Sequence, residues 1–249
     1  MNSAPHIEIR DLTMAYGEFV IQRDLNFVVN KGDIFVIMGG NGCGKTTLMR
    51  ALIGLQRPTR GTVYYGGEDF WGVEPQEQER LKRRLGIMFQ GGALWSSLTL
   101  AENVALPLKE YTALAPRRIG EIVSFKLALV GLAGFEEFYP AELSGGMKKR
   151  AGLARAMALD PDILVIDEPS SGLDPLTARR LDDLILELRD SLDTTIVVIT
   201  HELASILGIG TNSVFLDTET HTMINTGNPK EAVVSGDLRV RHFLTRGEL

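Results

Sequence analysis

The chain has 249 residues, 44% of them hydrophobic and 23% charged, with a net charge of −6. That composition supports a sizeable buried core in one large or two small domains, and its acidic balance disfavours nucleic acid as a partner. The single cysteine, Cys43, excludes an intrachain disulfide, and no run approaches the ~20 apolar residues that span a bilayer.

Residues 1–11 lack a basic stretch and an apolar core, so a cytoplasmic location without a secretion signal is expected. Residues 6–10 alternate as a half-buried strand does, and 25–29 and 61–65 read as two more, the last closed by Gly66-Gly67. These short strands predict an antiparallel sheet near the N-terminus. By contrast, 34–38, 163–166 and 196–199 are continuous apolar runs, the pattern of parallel strands covered on both faces. Residues 86–89 are a weaker case of the same kind.

Helical patterns lie between the strands. Residues 76–84 read as a charged, solvated helix. Thr99 to Glu102 has capping-box spacing, opening a helix that Pro107 is expected to limit. A helix over 117–130 ends at Gly131, and Ser144 caps another that reaches about residue 159. Asp174-Pro175 opens a helix to about 190. The chain then has a hairpin over 214–224, a short helix near 230–234 and a final segment at 239–245. The expected architecture is one α/β domain over 1–249. Its core and antiparallel β subdomain use about 1–90 and 160–249, with a helical subdomain inserted over about 91–159.

Three stretches carry chemistry. The first is Gly39-Gly40-Asn41-Gly42-Cys43-Gly44-Lys45-Thr46-Thr47, lying between an apolar run and a helical one. It fits G-x-x-x-x-G-K-[ST], a loop whose backbone N–H groups converge on phosphate oxygens. Lys45 reaches the β- and γ-phosphates, and the Thr46 hydroxyl can ligate Mg²⁺. Cys43 is either a small tolerated side chain or a thiol activated by the helix N-terminus, in which case alkylation would inhibit and ATP would protect. The second stretch, Ile163-Leu164-Val165-Ile166-Asp167-Glu168, ends an apolar strand in two carboxylates. Asp167 suits Mg²⁺ and Glu168 can polarise a water, although a solvated acidic turn looks the same in isolation. The third, Leu143-Ser144-Gly145-Gly146-Met147, makes a second anion-binding helix start. One nucleotide cannot easily occupy both anion sites of one small chain.

Along nearly the whole chain, these segments resemble the ATP-binding subunit of an ABC transporter. The resemblance implies a P-loop NTPase core of RecA-like type with an antiparallel β subdomain and an inserted helical subdomain. It implies a head-to-tail homodimer holding two ATP with Mg²⁺. Each ATP would lie between the loop at 39–47 of one chain and Ser144, Gly145 and Gly146 of the other. It further implies that Tyr16 stacks on adenine, that Gln90 senses Mg²⁺ and the attacking water, and that His201 contacts the γ-phosphate. Glu168, His201, Gln90 and Lys45 form the expected catalytic set. Ser171-Gly172-Leu173-Asp174 would cross the dimer interface, with Asp174 also capping a helix. Most such signatures end in glutamine where this chain has Met147; the glycines remain, and activity is expected to survive.

Gln90-Gly91-Gly92-Ala93-Leu94-Trp95 and Glu102-Asn103-Val104-Ala105-Leu106-Pro107-Leu108 carry a narrower resemblance. So do Glu142-Leu143-Ser144-Gly145-Gly146-Met147 with the following Lys148, Lys149 and Arg150, and Leu238-Arg239-Val240-Arg241-His242-Phe243-Leu244. These look like the ATPase of lipid-trafficking systems of the maintenance-of-lipid-asymmetry type. That group implies an integral-membrane permease, attachment to the cytoplasmic side of the inner membrane, an MCE-domain protein beyond it, and phospholipid as cargo. The stretch after Gln90 would help receive a permease helix, and Trp95 either meets that partner or packs inside the subdomain. A cassette for another substrate is the alternative. A permease-free cassette acting on nucleic acid or ribosomes is disfavoured, because such proteins typically pair two cassettes or carry a long coiled coil.

Overall fold

The computed structural model describes residues 5–247. Strands β1 (Ile7–Tyr16) and β2 (Phe19–Val29) pair antiparallel at the start of the chain. The core strand β3 (Ile34–Met38) and helix α1 (Lys45–Leu52) follow. Next come β4 (Arg60–Tyr65), β5 (Glu68–Asp69), α2 (Pro75–Lys82) and β6 (Leu85–Met88). Three helices then run without an intervening strand: α3 (Leu100–Tyr111), α4 (Pro116–Leu129) and α5 (Gly145–Ala156). The chain returns through β7 (Ile163–Asp167), α6 (Pro175–Leu192), β8 (Thr195–Ile199) and α7 (Leu203–Ile209). It closes with β9 (Asn212–Leu216), β10 (Met223–Gly227), α8 (Pro229–Ser235) and α9 (Leu238–Leu244).

The strands form two sheets. The antiparallel one has order β2-β1-β4-β5, and the larger one has order β10-β9-β3-β8-β7-β6. In the larger sheet β9, β3, β8, β7 and β6 run parallel, and β10 adds an antiparallel edge. The hairpin at 214–224 is therefore joined to the core: β9 lies beside β3, with Ile37 opposite Val214. Every residue of β3, β7 and β8 is buried, because both faces of these strands are covered. Phe35 and Ile37 face α1 and the antiparallel sheet, Ile34 faces the helices after β6, and Val36 and Met38 pack with α7, α8 and α9.

Register does the positioning. Ile37 aligns with Ile199, and Ile199 with Asp167. The turns after β3, β7 and β8 therefore leave the sheet at one carboxyl edge, the place where open α/β sheets bind ligands.

Several boundaries differ from those expected: β1 runs on to Tyr16, α5 ends at Ala156, and two further differences have identifiable causes. Strand β2 begins at Phe19, because its pairing with β1 passes three register shifts that scramble the inside–outside alternation. Helix α3 runs through Pro107 to Tyr111. A proline in a helix interior costs about 3 kcal/mol, but each large aliphatic side chain buried contributes about 1.5–3 kcal/mol. Leu100, Val104 and Leu108 are all buried by this helix, so packing outweighs the proline. The Thr99–Glu102 capping box is complete, with both reciprocal bonds present.

Candidate active site

The loop at 39–47 is shaped by what presses on it. Gly39 has φ +148°, and a Cβ there would lie 2.5 Å from the Leu216 carbonyl oxygen. Gly44, φ +96°, begins α1, and a Cβ there would lie 2.6 Å from Ile21 Cγ2. Only glycine meets both conditions. Gln22 is fully buried beneath the loop, and its Nε2 donates to the carbonyls of Cys43 and Asp217, each at 2.8 Å. Lys45 is buried too, its Nζ donating to the Gly39 and Gly40 carbonyls at 2.9 and 3.0 Å. No side chain caps α1 and no acidic residue sits in its first turn, so its N-terminal N–H groups and dipole favour an anion.

A cavity of about 380 Å³ lies over this loop. It is lined by Asn41, Gly42, Gly44, Lys45, Thr46, Thr47, Gln90, Asp167, Glu168 and His201, together with Ile21 and Ile199. Four chain turns thus bring the expected phosphate-binding and catalytic side chains to one place. Burial raises the Asp167 carboxyl above the usual range; adjacent Glu168 adds to this and Lys45 opposes it. Glu168 is held at both oxygens. His201 Nδ1 lies 2.7 Å from Oε1, and the Thr200 hydroxyl donates to Oε2 at 3.2 Å. Its backbone is in the left-handed region, φ +46°, fixed in part by its N–H donating to the Ile199 carbonyl at 2.8 Å.

An anion-binding cradle faced by a carboxylate, a histidine and a glutamine is the layout of a nucleotide hydrolase. A family model described as ABC transporter matches residues 22–171. The chain belongs to the ABC transporter family. Its cassette binds and hydrolyses ATP. This cassette is 39% identical over 242 residues to the intermembrane phospholipid transport system ATP-binding protein MlaF of Haemophilus influenzae, covering 97% of this chain and 90% of that one. It is also 39% identical over 239 residues to a probable ribonucleotide transport ATP-binding protein of Mycobacterium bovis, covering 96% of this chain and 66% of that one. A dimeric post-hydrolysis state of the ATP-binding cassette MJ0796, bound to ADP and Pi, matches with TM-score 0.80 at 27% identity over 89% of this chain and 98% of that one. Equal identity to relatives named for different cargoes identifies a cassette without identifying what it moves.

Other expected residues of the cassette lie outside the cavity. Ser144 caps α5, its Oγ accepting from the Met147 N–H at 3.3 Å. Gly146 is needed for packing as well, since a Cβ there would lie 2.6 Å from Thr177 Cγ2. Asp174 caps α6 through the N–H groups of Leu176 and Thr177. Tyr16, 50% exposed at the end of β1, stands beside α1 with its hydroxyl donating to Gln56 Oε1 at 3.0 Å. Its ring is available for stacking.

The reactive reading of Cys43 does not hold. The residue is 2% exposed, and burial pushes its thiol up, outweighing the influence of Lys45. The thiol packs against Gly39, with Lys45 Nζ 3.9 Å from its Sγ, and is shielded from solvent. Trp95, by contrast, is 63% exposed, which removes the core-packing reading.

Three further residues were given no role in the site by the sequence. Thr200 holds Glu168, Gln22 holds the loop, and Lys149 reaches the turn after β7. Thr200 was legible in principle as a hydroxyl at a strand end beside His201. Gln22 sits in an irregular strand, and Lys149 in a basic run that resembles a solvated face.

Oxygen donors for a divalent cation are present: the Thr46 hydroxyl, the Gln90 amide and the Asp167 carboxylate all line the cavity. Among the described residues no group of three or more His, Cys, Asp or Glu forms a ready-made cage. That set fits Mg²⁺, which keeps waters and phosphate oxygens as ligands, and the adjacent carboxylates gain from a neutralising cation.

Proposed function

We propose that this cassette forms a head-to-tail homodimer around two ATP and drives phospholipid transport through an integral-membrane permease. An MCE-domain protein would hand the lipid on. The observation that carries the reading is the split between two anion-binding helix starts. The loop at 39–47 lines the cavity with Asp167, Glu168 and His201, whereas Ser144, Gly145 and Gly146 do not line it. A second copy, turned head to tail, brings the missing helix start to the γ-phosphate. The dimeric ADP-bound relative supports this assembly.

In that assembly the loop N–H groups and Lys45 hold the β- and γ-phosphates. Mg²⁺, bound through Thr46, Asp167 and Gln90, would neutralise charge developing between them. Glu168 takes a proton from the attacking water, and His201 and Thr200 orient it. Asp174 and the rest of the 171–174 loop lie at the dimer seam. Tyr16 stacks on adenine. Closure with ATP and reopening after hydrolysis bias the permease between two states.

Phospholipid as cargo is supported by the name of the Haemophilus influenzae relative, 39% identical over 97% of this chain. Attachment to the cytoplasmic face of the inner membrane would come through the permease, since among the described residues no helix is long and apolar enough to cross a membrane. A groove of about 300 Å³ between the core and the α3–α5 helices, lined in part by Leu55, Leu85, Pro107 and Tyr111, supports a helical partner. Exposed Trp95 supports one on the loop after Gln90. Trp95→Ala is expected to lose co-purification with the permease from membranes while ATP affinity and thermal unfolding stay at the parent values. Undiminished co-purification would remove Trp95 from the docking surface.

A further inference from the structure

Lys149 stands outside the cavity yet reaches the turn that carries Glu168. It is 4% exposed, in the middle of a run, Lys148-Lys149-Arg150, whose composition looks solvated. A buried ammonium is a poor choice for stability, because desolvation consumes much of what its contacts return. Its contacts are specific. Nζ donates to the Glu168 carbonyl at 3.1 Å and to the Ser171 carbonyl at 2.6 Å. Those carbonyls bracket the turn that follows β7. The first belongs to the residue whose backbone is left-handed without being glycine, a conformation that persists only where its surroundings impose it.

The other end of the connection is α5. Gly145, Gly146 and Lys149 are spaced i, i+1 and i+4, which puts Lys149 over the first turn of the helix. That turn packs on the 168–177 segment: a Cβ on Gly145 would meet Leu173 Cδ2 at 3.5 Å, and one on Gly146 would meet Thr177. Further along α5, the Arg155 guanidinium donates to the Gly92 and Ala93 carbonyls at 3.0 and 2.9 Å, beside Gln90. One helix therefore grips two of the turns that carry hydrolytic side chains, those of Glu168 and Gln90. Burial lowers the Lys149 ammonium, and nearby Glu168 partly opposes this.

We infer that Lys149 is a positioning residue that ties the Glu168 turn of one ATP site to the helix start serving the other ATP site of the dimer. When the partner's nucleotide draws Ser144, Gly145 and Gly146 into place, the Lys149 ammonium carries that displacement to Glu168 and to the 171–174 loop. Hydrolysis at one site then responds to occupancy at the other. The inference rests on the proposed homodimer and on Glu168 as the base.

The test compares the parent with Lys149→Met, Lys149→Arg and Glu168→Gln, using the full chain and MgATP. Lys149→Met keeps the length and apolar stem but loses the donors. Its kcat is expected to fall about tenfold, the effect of one lost charge-assisted hydrogen bond on a barrier. Its KM, and ATP affinity in the dilute chain, should stay within about twofold, because the phosphate loop is untouched. Lys149→Arg should recover most of kcat, since it restores a cationic donor to the same carbonyls. A kcat for Lys149→Met within about twofold of the parent would overturn the coupling, as would an arginine variant no better than methionine. Lost ATP affinity in Lys149→Met would also overturn it, marking a residue that merely holds the fold. Parental turnover in Glu168→Gln would instead remove the underlying assignment of the base.

Discussion

Glu168→Gln is expected to bind ATP as the parent does, to accumulate as a closed dimer, and to lose turnover by about a hundredfold or more. The size follows from removing a general base, which typically contributes 10²–10⁴-fold. The substitution is nearly isosteric. A glutamine at 168 still accepts from Thr200 and faces His201 Nδ1, now 2.7 Å from Glu168 Oε1, so the turn after β7 keeps its shape. Lys45 and the loop N–H groups are unaltered, so nucleotide affinity should not move. What disappears is the proton acceptor, and with it the event that reopens the dimer. Phosphate release and size-exclusion chromatography with ATP read the two effects separately. Turnover within about tenfold of the parent would place the base on another residue.

Lys45→Ala should fail one step earlier. The Lys45 ammonium is buried over the loop and bound to the Gly39 and Gly40 carbonyls, so it already stands where phosphate oxygens arrive. A charge-assisted hydrogen bond contributes about 1.5–3 kcal/mol. Its loss weakens affinity by about ten- to a hundredfold, since each 1.4 kcal/mol is tenfold. The loop itself should persist in the variant, because Gln22 and the packing of Gly39 and Gly44 set its course. Titration with a fluorescent ATP analogue measures the change, and parental affinity would contradict the placement of Lys45.

The core was legible because its strands declare themselves. A strand covered on both faces has no polar alternation, so 34–38, 163–166 and 196–199 stood out as continuous apolar runs. Each also ended in a chemically distinctive turn, which is why Gly39, Asp167 and His201 could be placed at one sheet edge. Caps at Thr99, Ser144 and Asp174 were equally readable, since capping is a local interaction between residues two or three apart. Effects of distant packing were not. Helix α3 passes Pro107 because residues far along the chain bury Leu108, and the start of β2 is set by its bulged pairing with β1. Helix α7, only seven residues long, gave too little periodicity to see.

Burial explains the site residues that were misjudged or missed. Cys43 in a glycine loop read either as a small tolerated side chain or as an activated thiol, and the loop folds over that thiol. Lys149 lies between two other cations with nothing local to set it apart, yet it alone of the three is buried. Trp95 could have gone either way, because a tryptophan beside apolar neighbours reads alike inside a core and on a docking face. No local pattern distinguishes these cases. Burial depends on what the rest of the chain brings alongside.

In the proposed dimer, the cavity over residues 39–47 is half a catalytic site, completed by Ser144, Gly145 and Gly146 of a second copy. The direct measurement is ATP turnover per chain across roughly a thousandfold dilution, with ATP binding followed in the same samples. Turnover per chain should fall steeply as the dimer dissociates, while each separated chain continues to bind ATP. Constant turnover per chain, in samples shown to be monomeric at the lowest concentration, would contradict it.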